Sequence, residues 1–285
     1  MKTKKFKKLQ TINCRGKLID LSIPKVMGII NITPDSFYDG GKTFSEKEML
    51  KQAEVMLLEG ATFLDVGGYS SRRGADDVSE AEEIRRVVEA IESILKNFPE
   101  VLISVDTFRS EVAKKAVEAG ASLVNDISGG SLDGAMYKTV SQLKVPYILM
   151  HIRGTPKTMT GLTDYENVTI EVIKDLSEKI ALARAEGVND IIVDPGFGFA
   201  KKRNQSFEVL NNLELFQNLE VPILVGISRK SMIYGTLDTS AENALNGTTS
   251  LNTIALLKGA SILRVHDVKE ARECVILTES LKNAP

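Results

Sequence analysis

Short, continuous apolar runs rich in β-branched residues recur along the chain, and each run ends in polar residues. Runs of this kind are typical of strands that are buried on both faces, as in a parallel sheet. One set of runs follows a glycine that suits the left-handed end of a helix, and it covers 59–68, 119–129, 186–196 and 258–267. A second set lacks this glycine and covers 26–32, 101–107, 145–151 and 221–228. The pattern therefore predicts eight strands.

Helical patterns lie between the runs. Ser79 and Glu82 have the spacing of a capping box, and the apolar residues that follow recur at helical spacing. A second capping box, Ser45 with Glu48, predicts another helix start. Further helices are predicted near 109–119, 133–143, 167–186, 205–219, 240–258 and 267–282.

Alternating strands and helices predict an α/β protein, either a barrel or a doubly wound sheet. We prefer a (β/α)8 TIM barrel, because the strand count is eight and no Rossmann glycine fingerprint follows the first strand. We expect a single domain in which 24–285 form the barrel. Residues 1–23 would be an N-terminal extension, a short hairpin or cap over the barrel bottom.

Composition narrows the classes of function. The chain has 285 residues and a formal net charge of -2, which argues against nucleic acid as a partner. The lysines within 2–8 are expected to be a solvated terminus, and no apolar run of signal-peptide or membrane-span length follows them. Cys14 and Cys274 fit no metal spacing, so we expect a reducing, cytoplasmic compartment.

Each predicted strand ends in residues that carry chemistry. Because the carboxyl ends of barrel strands meet at one face, where barrel active sites are found, we expect these side chains to form one site. The strand-end residues are Asn31, Asp65, Asp106, Asn125, Asp126, His151, Asp194, Ser228, Arg229, Lys230, Arg264 and His266.

Three of these residues suit a flat, nitrogen-rich ring. The carboxylates of Asp106 and Asp194 can each accept two parallel N–H bonds, and the amide of Asn125 both donates and accepts. Each residue also has a structural alternative: Asp106 and Asn125 as helix N-caps, and Asp194 as a turn residue before Pro195.

Cationic donors on the last two strands suit phosphate. Lys230, Arg264 and His266 follow apolar strand residues, at the place where barrels often bind phosphate. The alternative is a set of surface salt bridges. The chain has no G-x-S-x-G elbow and no zinc-ligand spacing, so neither a serine hydrolase nor a zinc enzyme is indicated.

Taken together, the strand-end segments resemble the dihydropteroate synthase family, in order from about residue 26 to the end. The segments are NITPDSFYDGG (31–41), DVGGYSSRRGA (65–75), SVDT (104–107), NDISGG (125–130), MHIRG (150–154), DPGFGFAK (194–201), GISRKSM (226–232) and RVHDV (264–268). The resemblance implies the same barrel, and an enzyme that joins 6-hydroxymethyl-7,8-dihydropterin diphosphate to 4-aminobenzoate in folate synthesis. It also implies Mg²⁺ as cofactor and a homodimer formed through outer helices.

The resemblance assigns roles to individual residues. Those implied to hold or flank the pterin are Asp106, Asn125, Asp194, Lys230, Met150 and Phe199. Those implied to bind the diphosphate are Ser71, Arg72, Arg264 and His266, with Asn31 binding magnesium alongside it. Those implied to meet 4-aminobenzoate are Phe37, the 65–75 loop and Ser231, the last at a helix N-terminus. During the reaction, Asp106 and Asp194 would stabilise positive charge on the pterin methylene. Lys230 is counted with them among the catalytic residues.

The chain departs from the family pattern at three positions. Arg73 stands where the family usually has Pro, Ala200 where it usually has Gly, and Tyr38 replaces a smaller residue. Two rival functions remain: a folate-to-corrinoid methyltransferase of the same superfamily, and a non-catalytic paralogue. The segments around TPDSF and SRKS argue against the methyltransferase. Arg73 is the only feature of the sequence that favours the non-catalytic paralogue.

Overall fold

A small antiparallel hairpin precedes a parallel barrel in the computed structural model, which describes residues 10–32, 42–69 and 78–284. The hairpin strands are β1 (Thr11–Cys14) and β2 (Lys17–Asp20). The barrel strands are β3 (Lys25–Asn31), β4 (Phe63–Gly67), β5 (Leu102–Asp106), β6 (Leu123–Asp126), β7 (Tyr147–Met150), β8 (Ile191–Asp194), β9 (Leu224–Val225) and β10 (Ile262–Val265).

The sheet closes on itself. Its order is β8-β7-β6-β5-β4-β3-β10-β9, and neighbouring strands are parallel. A parallel bridge between Val193 and Ile223 joins the two outermost strands, β8 and β9. The predicted (β/α)8 barrel with its N-terminal hairpin is therefore confirmed.

Helices surround the sheet and connect its strands. They are α1 (Lys42–Leu58), α2 (Glu80–Asn97), α3 (Ser110–Glu118), α4 (Met136–Leu143), α5 (Val168–Ala185), α6 (Arg203–Asn211), α7 (Ser231–Tyr234), α8 (Leu245–Leu257) and α9 (Val268–Lys282). The helix predicted over 205–219 is divided, because Leu213–Leu219 forms a 3-10 segment after α6. The short helix α7 was not among the helices predicted from the pattern, but the resemblance implied a helix N-terminus at Ser231, where α7 begins.

The two capping boxes have different outcomes. Ser79 is the N-cap of α2, and its side chain accepts a hydrogen bond from the Glu82 N–H, as predicted. The start at Ser45 is wrong, because α1 begins at Lys42 and places Ser45 inside the helix.

An apolar cluster fills the N-terminal end of the barrel. Ile12, Cys14 and Ile19 of the hairpin pack there against the first residues of the barrel strands. The strand residues in this cluster are Met27, Phe63, Leu102, Leu123, Ile148, Ile192, Leu224 and Ile262. The hairpin is also tied by its Asn13 N–H, which donates to Asp190 Oδ2 at 2.8 Å. One end of the barrel is thus closed by packing, and the polar strand ends lie at the other.

Across the described ranges, none of the helices has the length and apolar character that crossing a membrane requires.

Candidate active site

A pocket lies at the C-terminal ends of the barrel strands. Its lining residues are Ile29, Asp106, Asn125, Ile127, Met150, Asp194, Phe199, Gly226, Ser228, Lys230, Arg264 and His266. All six residues that the resemblance assigns to the pterin are among them. A larger groove between α1 and α2 is lined by residues such as Glu46, Glu89 and Lys96. No strand end contributes to that groove, so we place the site at the barrel mouth.

Arg264 joins two carboxylates beneath this pocket. Its Nε donates to Asp65 Oδ2 and its Nη2 donates to Asp106 Oδ2, both at 2.6 Å. Asn125 Nδ2 donates to the same Asp65 oxygen at 2.9 Å. Asp65 is fully buried and lies on β4, between the strands that carry its partners. It therefore fixes the orientation of both Arg264 and Asn125, a role that sequence reasoning did not assign to it.

Burial changes the protonation of Asp106. It raises the pKa of Asp106 to about 7, while Arg264 lowers the pKa and Asp65 raises it further. The alternative role of Asp106 as a helix N-cap is excluded, because the N-cap of α3 is Arg109. Asn125 is not an N-cap either, since the next helix begins only at Met136.

Asp194 and Lys230 also line the pocket. Burial raises the pKa of Asp194, and Lys230 opposes that shift. Burial also lowers the pKa of Lys230 to about 8. Asp194 Oδ1 accepts the Gly196 N–H at 2.7 Å, so its alternative role as a turn residue is real and coexists with its place in the pocket.

Apolar groups complete the pocket. Met150 packs with Ile127 and Ile152, and Phe199 lies against this cluster. The Lys230 ammonium lies 4.4 Å from the centre of the Phe199 ring and donates to the Phe197 carbonyl. A flat ligand would meet apolar side chains here as well as the charged groups.

His266 is oriented by Ser228. The backbone N–H of His266 donates to Ser228 Oγ at 3.2 Å, and Ser228 Oγ lies 3.1 Å from the ring nitrogen His266 Nδ1. If the serine hydroxyl donates to Nδ1, the ring proton is on Nε2. Next to Lys230, Arg229 makes a two-point ion pair with Asp267, at 2.9 and 2.7 Å, which links the ends of β9 and β10.

Three strand-end residues, Asp126, His151 and Arg229, do not line the pocket and have partners outside it, so the expectation that all of them share one site is wrong. Asp126 accepts from Tyr147 Oη at 2.6 Å and from the Ser128 and Gly130 N–H groups. His151 is buried, with Nδ1 lying 3.6 Å from Asp175 Oδ2. The reason is strand alternation, because neighbouring residues of one strand point to opposite faces.

The remaining predicted residues lie at the rim or outside the described ranges. Asn31 is exposed and ends β3, and Ser231 is the exposed first residue of α7. Phe37, Ser71 and Arg72 lie outside the described residues, as do the departures at Tyr38 and Arg73.

Comparison with known proteins agrees with this geometry. The family model described as "Pterin binding enzyme" matches residues 27–266. The dihydropteroate synthase of Escherichia coli (strain K12) is 42% identical over 272 residues, covering 95% of this chain and 96% of that protein.

Two solved structures have the same fold as this chain. The Xanthomonas albilineans dihydropteroate synthase with 4-aminobenzoic acid has a TM-score of 0.90 at 35% identity, and 97% of this chain and 100% of that one are covered. The Yersinia pestis enzyme in complex with a sulfonamide drug has a TM-score of 0.90 at 39% identity, with 96% and 100% covered.

Proposed function

The chain belongs to the pterin-binding enzymes and, within them, to the dihydropteroate synthases, and on this premise we propose that it joins 6-hydroxymethyl-7,8-dihydropterin diphosphate to 4-aminobenzoate. The products are 7,8-dihydropteroate and pyrophosphate, in folate biosynthesis. One observation carries the proposal: the carboxylate, amide and ammonium groups that suit a pterin edge line a single pocket together with Met150 and Phe199.

The polar residues of the pocket bind the pterin edge. The carboxylates of Asp106 and Asp194 accept N–H bonds from the ring, and Asn125 both donates and accepts. Lys230 donates to a ring acceptor, held in place by the Phe197 carbonyl. Since Asp65 and Arg264 fix Asn125 and Asp106, these groups need little reorganisation when the ligand arrives.

The reaction exchanges one bond for another at the pterin methylene. The C–O bond to the diphosphate breaks, and its electron pair leaves with pyrophosphate. The amine nitrogen of 4-aminobenzoate then forms a C–N bond to the methylene and loses a proton. Positive charge on the pterin is stabilised by Asp106 and Asp194, whose buried positions strengthen this interaction.

Cationic groups that line the pocket bind the diphosphate. Arg264 and His266 provide donors there, and Ser71 and Arg72 join them by resemblance. Magnesium, when bound, would supply further positive charge for the departing anion. Asn31 would be its protein ligand, because the amide of an exposed residue at the strand end suits a hard cation that substrate phosphates otherwise hold.

The 4-aminobenzoate site lies at the rim. Ser231, at the first position of α7, meets the substrate carboxylate, and Phe37 and the 65–75 loop cover the ring by resemblance. The pterin diphosphate binds before 4-aminobenzoate, because the bound pterin diphosphate supplies contacts for the part of the site that receives 4-aminobenzoate as well as for its own.

A product assay tests the function. Pyrophosphate and 7,8-dihydropteroate should form only when the pterin diphosphate, 4-aminobenzoate and Mg²⁺ are all present. Binding of the pterin without product would instead support the non-catalytic paralogue. Methyl transfer from a methylated folate to a corrinoid would support the methyltransferase.

We further propose a homodimer in the cytoplasm. Exposed apolar side chains lie on the packed pair α8 and α9, among them Leu257, Ile276, Leu277 and Leu281. Burying them against a second copy would remove them from water. Light scattering should give twice the chain mass, and Leu277→Glu with Leu281→Glu should give monomers. The buried free thiols of Cys14 and Cys274 suit a reducing compartment.

A further inference from the structure

A buried lysine ties the turn that follows β8. Lys201 is 7% exposed, and its Nζ donates to the carbonyls of Gly196 and Phe199 at 3.0 and 3.1 Å. Both carbonyls belong to this turn, 195–200. The Lys201 side chain therefore crosses the turn from behind and links its beginning to its end.

The turn has an irregular backbone conformation that side-chain hydrogen bonds help to hold. Gly196, Gly198 and Ala200 all have left-handed backbone, with φ of 70°, 77° and 48°, so the turn is neither helix nor strand, and a backbone hydrogen bond from the Phe199 N–H to the Gly196 carbonyl at 3.1 Å spans it. It also lies close against the residue that follows β7, because a Cβ on Gly196 would lie 2.1 Å from the His151 carbonyl oxygen. Tyr165 Oη adds a bond to the Ala200 carbonyl at 2.9 Å.

Three features of the pocket depend on this turn. The Gly196 N–H holds Asp194, the Phe197 carbonyl accepts from Lys230, and the Phe199 ring lies beside the Lys230 ammonium. If the turn shifted, the acceptor for Lys230 and the apolar Phe199 face would shift with it.

We propose that Lys201 is a positioning residue for the pterin half of the site, acting through the turn that carries Phe197 and Phe199. This inference rests on the proposed function, because the ligand it concerns is the pterin. Lys201 does not line the pocket, so its contribution passes through the backbone rather than through contact with the substrate.

The tie does not require a charged lysine. Burial lowers the pKa of Lys201 to about 7, while Asp194 and Asp175 raise the pKa and Lys230 and Lys179 lower it. A neutral amine keeps two N–H donors, and the turn presents two carbonyl acceptors. A methionine of similar length has no donor at all.

The test is Lys201→Met. We expect the Kd for 6-hydroxymethylpterin, measured by calorimetry, to rise roughly ten- to hundredfold, the loss expected for two hydrogen bonds. The KM for 4-aminobenzoate at saturating pterin diphosphate should stay within about twofold, since the turn contacts the Lys230 side chain whereas the proposed carboxylate contact is made by Ser231 at the first position of α7. A purely structural role would lower the melting temperature and leave the Kd of the folded fraction unchanged.

Lys179→Met is the matched control. Lys179 is a buried lysine of the same region, 9% exposed. Its Nζ pairs with Asp175 Oδ2 at 3.0 Å and donates to the Ser128 carbonyl at 3.4 Å, and neither partner belongs to the turn. It should lose stability but keep pterin affinity. If Lys201→Met does not fold, Lys201→Gln against Lys179→Gln makes the same comparison.

Two results would overturn the inference: an unchanged pterin Kd in a folded Lys201 variant, or an equal loss of affinity in the Lys179 variant. If the wild-type protein itself failed to bind the pterin, the proposed function would be refuted, and this inference with it.

Discussion

The two ends of the barrel are built from the same strands and have opposite chemistry. At the N-terminal end, the first strand residues and the hairpin form a closed apolar cluster around Phe63 and Met27. At the C-terminal end, the last strand residues and the turns after them present Asp106, Asp194 and Arg264 to a pocket.

The difference separates residues that stabilise the fold from residues that are held ready for a ligand. Apolar packing at the closed end stabilises the fold without any role in chemistry. At the open end, burial shifts the pKa of Asp106 upward and that of Lys230 downward, which costs stability and prepares the groups for a ligand. Substitutions at the two ends should therefore separate stability from activity.

The largest effect is expected at the closed end. Phe63 is fully buried, and Phe63→Ala removes a ring and leaves a cavity, so the free energy of unfolding should fall by about 3–5 kcal/mol. Urea unfolding measures this loss. The kcat of the molecules that remain folded should be nearly unchanged, and a parallel loss of kcat would break the division between the two ends.

Asp106→Asn is the counterpart at the open end. We expect kcat to fall by about 10²–10³, equivalent to about 2.7–4 kcal/mol, because a carboxylate aimed at developing positive charge is lost. Stability should change little, since the neutral Asn side chain keeps an oxygen that can accept from Arg264 Nη2. Steady-state kinetics and thermal unfolding measure the two effects.

Asp126→Asn is the control for this substitution. Asp126 is also a buried strand-end aspartate, but it bonds Tyr147 outside the pocket. Its loss should lower stability and spare kcat. Near-normal turnover in folded Asp106→Asn would remove Asp106 from the mechanism.

A smaller effect is expected on the pH profile. kcat/KM for the pterin diphosphate should be bell-shaped, rising near pH 7 as Asp106 loses its proton and falling near pH 8 as Lys230 loses its own. Below its pKa, Asp106 is protonated and cannot accept two N–H bonds.

Asp65→Asn tests whether the acidic limb of the pH profile belongs to Asp106. It removes a negative charge that raises the pKa of Asp106, so that limb should move to lower pH. The basic limb should stay in place, because Asp65 is not among the causes of the Lys230 shift. An acidic limb that did not move would assign it to another group.

The smallest effect is expected at Ala200, where φ is 48°. Ala200→Gly relieves about 1–2 kcal/mol of left-handed strain. It also adds about 0.5–1 kcal/mol of backbone entropy cost and removes a buried methyl worth about 0.8 kcal/mol. The net change in unfolding free energy should be within about 1 kcal/mol, with normal activity.

The reverse substitution nearby serves as contrast. Gly196→Ala would place a Cβ 2.1 Å from the His151 carbonyl oxygen, so it should disrupt the turn and the pocket. Equal tolerance at Gly196 and Ala200 would contradict the described backbone.

Much of the fold and part of the site could be predicted from sequence. Apolar runs mark the strands, and topology brings their ends together, so Asp106, Asn125 and Asp194 were placed in one pocket. Side-chain direction was harder to predict, because Asn125 and Asp126 are neighbours on one strand and point to opposite faces. Lateral partners, such as Asp65 for Arg264, depend on which strands are adjacent and on distances that a linear pattern does not contain.

The seam of the barrel has a consequence for motion. β9 has two residues, and it meets β8 through the bridge between Val193 and Ile223, with the Val193 N–H donating to Pro222 O at 2.9 Å. By contrast, β3 and β4 are paired over five residues. Because few hydrogen bonds join β8 to β9, the free energy of local opening there is low, and amide protons at this seam should exchange with solvent before those of β3 and β4.

The seam also separates two residues of the pocket. Asp194 lies on the β8 side and Lys230 follows β9 on the other, so a bound pterin would bridge the two sides. The ligand would then act as a removable cross-link that slows exchange most where the sheet itself is weakest.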